Sequence, residues 1–395
     1  MRRLILAITF FAVAAAAGVV VYTVSAAARE YDRLIAAGDA AVAADQAFQA
    51  LEAYSGAIAL RPDSMLAHLK RGMTYRRHGE LENALKDLRR ASELDPTATR
   101  PQELAGDINL ALSRYDRAAR RYEAFLALDD SAARIYYKLG LARYRGAQLA
   151  RAIEPLQKAV RLDKSMAPAH LLLGLCLRDQ GDGPAARASL ETAVLLQPGL
   201  TAPREALVSL YASSERTRAI DQLEALVALD PSRPARLVAL GRAYADAGRH
   251  EAAVMTLGRA VERFPDSSEA YAALGRVWLE AAEQRRDTVA LKKAVEALLT
   301  ATSHSDATSD AFTDLGRAYV LAGESESALR AFRQALDQFP VQPEAYFQLA
   351  TLAARTGQLS EGRDALVRYL ALIPEAQRES KNVVALQQRL RSAGL

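Results

Sequence analysis

The side chains that could act as nucleophiles, general bases or metal ligands are scattered along this sequence of 395 residues. The five histidines are His68, His78, His170, His250 and His304. They lack the spacing that joint binding of a metal ion requires, and the lone Cys176 supports neither a disulfide nor a metal site. No phosphate-binding loop, nucleophile elbow or dinucleotide-binding glycine motif occurs. The sequence therefore predicts a protein that is not an enzyme and has no metal and no cofactor.

Arginine could instead bind carboxylates. Arg242, Arg276 and Arg317 each follow a Leu-Gly pair, and their regular spacing would place them as a basic ladder suited to an acidic peptide. Asp246 and Glu280 lie four residues after the first two, where ion pairs form within one helix. We expect Arg242 and Arg276 to pair locally and Arg317, which has no such neighbour, to be the best candidate ligand of the three.

These side chains are positioned by an internal repeat. Glycine recurs every 34 residues through the first half of the chain, and the same phase resumes in the second half. The glycines are Gly38, Gly72, Gly106, Gly140, Gly174, Gly241, Gly275 and Gly316. A fixed period of this length indicates stacked helical hairpins, and the small residue lets the two antiparallel helices of a hairpin approach closely.

A common order of residues runs through the units. In the second unit it is Gly72, Tyr75, Gly79, Ala84, Leu88, Ala91 and Pro96, and the seventh unit repeats it from Gly241 to Pro265. This order resembles the tetratricopeptide repeat (TPR) family, whose pattern reads W-x2-LG-x2-Y, then A, F, A and P, although the tryptophan is mostly replaced here. The resemblance implies an all-α fold, a right-handed α-solenoid of about ten TPR hairpins.

Ten repeats can be laid end to end over residues 29–376, between an N-terminal segment, 1–28, and a C-terminal segment, 377–395. The sixth is one residue short near residues 213–217, and the eighth is seven residues long, which predicts that both of its helices lengthen by about one turn. Val383, Leu386 and Leu390 share one face of the C-terminal segment, which predicts a capping helix. The predicted repeats are 31–64, 65–98, 99–132, 133–166, 167–200, 201–233, 234–267, 268–308, 309–342 and 343–376.

The N-terminal segment follows a different pattern. Residues 4–28 contain no charged side chain and follow Arg2 and Arg3. About 20 apolar residues span a bilayer, so the segment predicts a signal anchor or a signal peptide, and small residues near Ala26 and Ala28 fit cleavage. We favour the anchor because the apolar run is longer than a usual signal-peptide core. Its basic head predicts a single-pass protein of the inner membrane with the repeats in the periplasm; the alternative is release into the periplasm after cleavage.

Charge and composition narrow the class of partner. The net charge is only +4, so no nucleic-acid-binding surface is predicted. Arginine outnumbers lysine 43 to 8 and alanine is abundant, as is typical of a GC-rich bacterial genome. One arginine cluster is interleaved with Asp116 and Glu123 and is interpreted as a solvated helix face. It comprises Arg114, Arg117, Arg120 and Arg121.

The resemblance also implies where partners bind. In this family the first helix of each hairpin lines a concave groove, mainly through positions 2, 5, 9, 12 and 13 of the repeat. Carried over, these positions predict a groove with an apolar floor and the three arginines described above. The same apolar residues could instead seal neighbouring repeats against each other, and both interpretations stay open. The floor residues are Leu69, Met73, Tyr137, Leu141, Tyr144, Leu171 and Leu175.

One binding mode of the family is not expected. Its chaperone-binding members clamp a terminal carboxylate with Lys at position 5 and Asn at position 9. The corresponding residues of the first three repeats are Ile35 and Asp39, Leu69 and Met73, and Glu103 and Asp107.

We therefore expect a non-enzymatic protein–protein interaction scaffold on the extracytoplasmic side of a membrane, organising an envelope assembly or secretion complex. Protein or peptide partners would occupy the groove, and residues 4–28 would contact the membrane. Two alternatives stay open: a periplasmic TPR protein that binds polysaccharide or peptidoglycan, and a regulatory subunit of an enzyme complex. The sequence indicates nothing about the oligomeric state.

Overall fold

A computed structural model describes the backbone of residues 2–211 and 215–392, with side chains at residue 19 and from residue 22 onwards. All secondary structure in these ranges is helical, as predicted. Contacts divide the chain into two units, Met1–Pro198 and Gly199–Leu395. The helices of unit 1 are α1 (Arg2–Ala43), α2 (Ala47–Leu60), α3 (Met65–Arg77), α4 (Leu81–Leu94), α5 (Thr99–Ala111), α6 (Tyr115–Leu126), α7 (Ala133–Arg145), α8 (Leu149–Leu162), α9 (Ala167–Gln180) and α10 (Gly183–Leu196).

Unit 2 has the same plan. Within each unit, every odd-numbered helix from α1 to α19 packs most extensively on the even-numbered helix that follows it. We call these the first and second helix of a hairpin. The helices of unit 2 are α11 (Thr201–Tyr211), α12 (Arg216–Leu229), α13 (Pro234–Asp246), α14 (His250–Arg263), α15 (Ser268–Arg285), α16 (Thr288–Ser303), α17 (Ser309–Ala322), α18 (Ser325–Leu336), α19 (Pro343–Thr356), α20 (Leu359–Leu372), α21 (Glu375–Arg378) and α22 (Lys381–Ser392).

In eight of the ten first helices a glycine lies against a large side chain of the second helix, whereas α11 and α19 have Val208 and Ala350 at that position. At Gly140, an added Cβ would be 2.5 Å from Cγ of Leu156. At Gly174, it would be 2.6 Å from Cγ of Leu190. Real Cβ atoms do not approach other heavy atoms this closely, so only glycine permits the observed separation of the two helices.

The described turns inside the hairpins contain a residue with a left-handed backbone. Glycine supplies it at Gly79 and Gly181, with φ of 84° and 91°. Alanine stands at the equivalent place in the fourth hairpin, where Ala147 has φ 57°. A side chain in this conformation costs about 1 kcal/mol, so the packing of the two helices must hold this turn in place.

A carboxylate stabilises the connection between hairpins. Asp129 follows α6 and accepts hydrogen bonds from the backbone N–H of Ser131 at 3.0 Å and from its hydroxyl at 2.6 Å. The side-chain and backbone hydrogen bonds from Ser131 lower the pKa of Asp129. Asp163 and Ser165 repeat this arrangement after α8. Such Asx turns bend the chain into the next first helix without unpaired backbone groups.

The eighth hairpin takes up its extra residues unequally. Helix α15 has 18 residues and α16 has 16, whereas α17 and α19 have 14 each. The second helices α18 and α20 have 12 and 14 residues, so α16 is also longer, by two to four residues, and α15 is longer by about one turn. Arg286 ends α15 with φ 52°, and Asp287 accepts hydrogen bonds from the N–H groups of Val289 and Ala290. This cap determines where α16 begins, so most of the insertion lengthens α15.

Three further predictions concern the N-terminal segment, the turn of the sixth hairpin and the C-terminal helix. Within the described residues, no helix is both long and apolar enough to cross a membrane. The side chains of most of residues 4–28 lie outside the description, as does much of the turn at 213–217. The C-terminal helix α22 begins at Lys381 and buries Val383, Leu386 and Leu390. Cys176 is buried, and burial raises the pKa of its thiol to about 11.

Replacing Gly140 by alanine should destabilise the protein. The new Cβ would overlap Leu156, and overpacking of this kind costs about 1–3 kcal/mol. Gly258 provides the control because it lies within α14 with no heavy atom within 4 Å of an added Cβ. Gly258→Ala should stabilise by about 0.5–1 kcal/mol. Urea unfolding followed by circular dichroism would measure both, and equal effects of the two substitutions would contradict the packing account.

Candidate functional site

The predicted floor residues occupy the first helices of unit 1. Leu69 and Met73 lie on α3, and the side chain of Met73 is 37% exposed. Leu69 is half-buried and also packs on the core around Leu88 and Leu104. It therefore helps to seal neighbouring hairpins as well as facing the groove. The remaining floor residues are half-buried on α7 and α9: Tyr137, Leu141, Tyr144, Leu171 and Leu175.

Leu69 and Met73 line one cavity between α1 and α3, with a volume of about 550 Å³. Leu66, which is 43% exposed, and Val42 complete its apolar surface. Neither residue is among the floor residues predicted from the sequence. They lie at repeat positions 2 and 12, two of the positions expected to face the groove, so the periodicity alone could have identified them. The polar lining residues are Asp39, Tyr54, Lys70, Thr74, Arg76 and Arg77.

A hydrogen-bonded group forms one edge of this cavity. Asp39 accepts hydrogen bonds from Tyr54 at 2.7 Å and from Lys70 at 2.6 Å. Burial works to raise the pKa of Asp39, but the hydrogen bonds from Lys70 and Tyr54 outweigh it and lower that pKa. Burial, together with the hydrogen bond to Asp39, raises the pKa of Tyr54. The charge of Lys70 is therefore already compensated within the protein.

The other two cations at this cavity, Arg76 and Arg77, are less fully compensated by carboxylates than Lys70 is. Arg77 donates a 3.2 Å hydrogen bond to the backbone carbonyl of Val42. Arg76 lies 3.9 Å from Asp107, at the limit of an ion pair. An apolar cavity with two weakly compensated cations beside it can accept an apolar side chain followed by a carboxylate.

A second carboxylate joins the neighbouring first helices α5 and α7. Glu103 is 5% exposed and accepts hydrogen bonds from Arg100 at 3.0 Å, from Lys138 at 3.0 Å and from Arg134. Burial works to raise the pKa of Glu103, but the hydrogen bond and charge of Lys138 and the charges of Arg134 and Arg100 lower it overall. The carboxylate thus holds three cations from two hairpins in place.

The arginines of unit 2 do not pair as predicted. Arg242 lies 3.3 Å from Glu269, and Nε of Arg276 donates to Asp314 at 2.6 Å. The predicted pairing within one helix, with the acidic residue four positions on, is wrong for both. Stacking brings a carboxylate of the next first helix closer than the residue one turn along the same helix. Among the described side chains, no cation lies within 4 Å of Glu280, and burial raises the pKa of Glu280.

Arg317 also has acidic partners. It donates to both oxygens of Glu283, at 2.9 and 3.0 Å, and to Asp314 at 3.1 Å. Arg317 is therefore paired with carboxylates although no acidic residue lies four positions after it, and it is no freer to bind a ligand than Arg242 or Arg276. Arg242 and Arg276 line one cavity of about 610 Å³ with the exposed Phe339. An acidic ligand there would have to compete with carboxylates already in place.

In the ranges with described side chains, no group of three or more histidine, cysteine or acidic residues could hold a metal ion.

Sequence profiles described as tetratricopeptide repeat match residues 35–99, 104–167, 210–277 and 313–377. Among curated proteins, "Hsp70-Hsp90 organizing protein 3" of Arabidopsis thaliana is 33% identical over 81 residues, 20% of this chain and 14% of that protein. "Small glutamine-rich tetratricopeptide repeat-containing protein 2" of Mycosarcoma maydis is 29% identical over 100 residues, 25% of this chain and 28% of that protein. The chain thus spans less than a third of either relative.

Solved structures resemble the chain over longer stretches. The structure of YrrB, described as a TPR protein with an unusual peptide-binding site, is 25% identical, covers 48% of this chain and 98% of its own, and has a TM-score of 0.43. The structure of yeast Tom70 is 13% identical and covers 92% of this chain and 88% of its own, with a TM-score of 0.44.

Replacing Glu103 by glutamine should destabilise the protein by about 1–3 kcal/mol, because three cations lose their buried partner. Glu93→Gln is the control, since this exposed carboxylate pairs with Arg89 and Arg90 on the surface and should contribute under about 1 kcal/mol. Urea unfolding at neutral pH would measure both.

The effect of Glu103→Gln should also depend on pH. The folded-state pKa of Glu103 is lowered, so its contribution to stability is present above the carboxyl's ordinary pKa and is lost as the pH falls through the folded value. The stability difference between the natural protein and the variant should therefore shrink on acidification. A difference that stays constant down to pH values well below that range would contradict the assignment.

Proposed function

Because the chain belongs to the tetratricopeptide repeat family, we propose that it is a non-enzymatic scaffold that binds a protein or peptide in the cavity between α1 and α3. The observation that carries the proposal is the apolar surface formed there by Leu66, Leu69 and Met73. Its volume of about 550 Å³ is ample for a large side chain of a partner. Arg76 and Arg77 beside it favour an acidic residue next to that side chain.

The carboxylate clamp of chaperone-binding relatives does not explain this cavity. Asp39 stands at the clamp's asparagine position in the first repeat, where it holds Tyr54 and Lys70. Met73 stands there in the second repeat and contributes apolar surface. We therefore propose that the partner is held by an internal apolar residue of an amphipathic segment and not by a terminal carboxylate.

We further propose that residues 4–28 tether the chain to the inner membrane and that the repeats face the periplasm, where they organise an envelope assembly or secretion complex. The uncharged run of 25 residues after Arg2 and Arg3 supports this proposal.

Photo-crosslinking tests the binding site. A photoreactive residue at Leu66 or Met73 of the full chain should crosslink one partner in cells, whereas the same residue at the exposed Leu195 or Met255 should not. Met73→Glu should abolish the crosslink formed from Leu66 and leave thermal melting unchanged, and Met255→Glu is its matched control. Equal crosslinking from all four positions, or a crosslink that survives Met73→Glu, would contradict the assignment.

Cell fractionation tests the tether. The full chain should stay with the membrane fraction after alkaline extraction, and a variant without residues 4–28 should be released. A protease added to the periplasmic side should digest the repeats of the full chain. Release of the full chain by alkali, or repeats protected from the protease, would contradict the proposed location.

A further inference from the structure

Unit 1 has a second cavity, of about 610 Å³. It lies between the second helices α4 and α6, and the first helix α5 contributes Ala105 and Asn109 to its lining. Its cationic lining residues are Lys86, Arg89, Arg114, Arg117, Arg120 and Arg121. One carboxylate, that of Glu82, accompanies these six cations. The whole chain carries a net charge of only +4, so positive charge is concentrated at this cavity.

Little of this charge is neutralised by the protein. Glu82 accepts a 2.6 Å hydrogen bond from Arg114, and Arg89 lies 3.9 Å from the exposed Glu93. The other cations have no carboxylate within 4 Å in the part of the chain that the structure describes. They are Lys86, Arg117, Arg120 and Arg121.

The acidic residues interleaved with the arginines are engaged elsewhere. Asp116 accepts a 2.7 Å hydrogen bond from Gln148, and Glu123 pairs with Arg143. Both partners belong to the following hairpin, so neither acid compensates the arginines at the cavity. Arg117 and Arg120 are exposed, as expected of a solvated helix face, but the charge alternation along the helix does not neutralise them at the cavity.

A buried amide adds an independent indication of a ligand. Asn109 lines the same cavity and is 4% exposed. Its amide N–H donates to the carbonyl of Ala105 at 2.7 Å, which identifies the other amide atom as the oxygen. That oxygen, Oδ1, is buried and has no donor among the described residues. An unpaired buried acceptor costs about 1–3 kcal/mol. Because Oδ1 exposes almost no surface, a ligand hydroxyl reaches it by displacing the side chains that cover it, and a hydrogen bond donated there would then stabilise the site.

We propose that this cavity binds a phosphate-bearing polyol, either free or as a lipid headgroup. The phosphate oxygens contact Lys86, Arg117 and Arg120, and a neighbouring hydroxyl donates to Oδ1 of Asn109. Guanidinium groups match the geometry of phosphate oxygens. A simple anion would satisfy the cations alone, whereas a phosphate with an adjacent hydroxyl satisfies both the cations and the amide. The site is separate from the proposed protein-binding cavity between α1 and α3.

Calorimetric titration of the full chain in a neutral detergent tests the proposal. Glycerol 3-phosphate represents the free ligand, and the water-soluble dihexanoyl phosphatidylglycerol represents the headgroup, with dihexanoyl phosphatidylcholine as its control. Sulfate represents an anion that cannot donate a hydrogen bond. We expect glycerol 3-phosphate or the phosphatidylglycerol to bind, and the tighter of the two identifies the source of the ligand.

Three variants distinguish the site from general attraction between charges. The double variant Arg117→Gln/Arg120→Gln should weaken binding by about tenfold or more. Arg151→Gln/Arg161→Gln removes the same charge from exposed positions of the second helix α8 and should leave binding unchanged. Asn109→Leu should weaken binding of the polyol phosphate and leave sulfate binding unchanged.

Some results would contradict the site as a whole, and another would contradict only the role of the hydroxyl. Equal weakening by the two double variants, or no binding of either phosphate ligand to the natural protein, would overturn the site. Equal weakening of sulfate and polyol phosphate by Asn109→Leu would overturn the assignment of the hydroxyl. If Asn109→Leu fails to fold, the two double variants still decide whether the site exists, because they change exposed or half-buried side chains.

Discussion

The contact between a glycine of the first helix and a large side chain of the second, made in eight of the ten hairpins, is the constraint on which the rest of the structure depends. Gly38 meets Tyr54, Gly106 meets Tyr122, and Gly140 meets Leu156, in each case with no room for a Cβ atom. This contact sets the distance between the helices of a hairpin. It also sets which faces of the helices point away from the core, and so the positions available for binding.

The identity of the contacting side chain influences the outer surface. Tyr54 passes beside Gly38 and reaches Asp39, which also holds Lys70 of the next hairpin. Tyr122, Asp107 and Lys138 repeat this arrangement around Gly106. Where the contact is made by leucine, as at Leu156, no hydroxyl is available to donate a hydrogen bond to a carboxylate of the first helix. A tyrosine at this contact thus adds a hydrogen-bonded link between neighbouring first helices that a leucine cannot add.

The sequence predicted the all-helical fold, because a small residue every 34 positions admits few structures other than stacked hairpins. It also identified Leu69 and Met73 of the candidate cavity, because the groove positions follow from the repeat. The ion pairs of Arg242 and Arg276 could not be predicted, since their partners come from the neighbouring hairpin and depend on the stacking geometry. The arginine cluster around Arg117 could not be assigned either, because charge alternation along one helix does not show which carboxylates turn towards the next hairpin.

The two sets of helices in unit 1 carry different surfaces, an apolar cavity on the first helices and a cationic cavity bounded by the second helices α4 and α6.

The most direct test of the protein-binding role is hydrogen exchange of the full chain with and without its crosslinked protein partner. The account predicts slower exchange of the backbone amides in the C-terminal part of α1 and throughout α3 when the partner is bound. Protection confined to α4 and α6, with α1 and α3 unchanged, would contradict it.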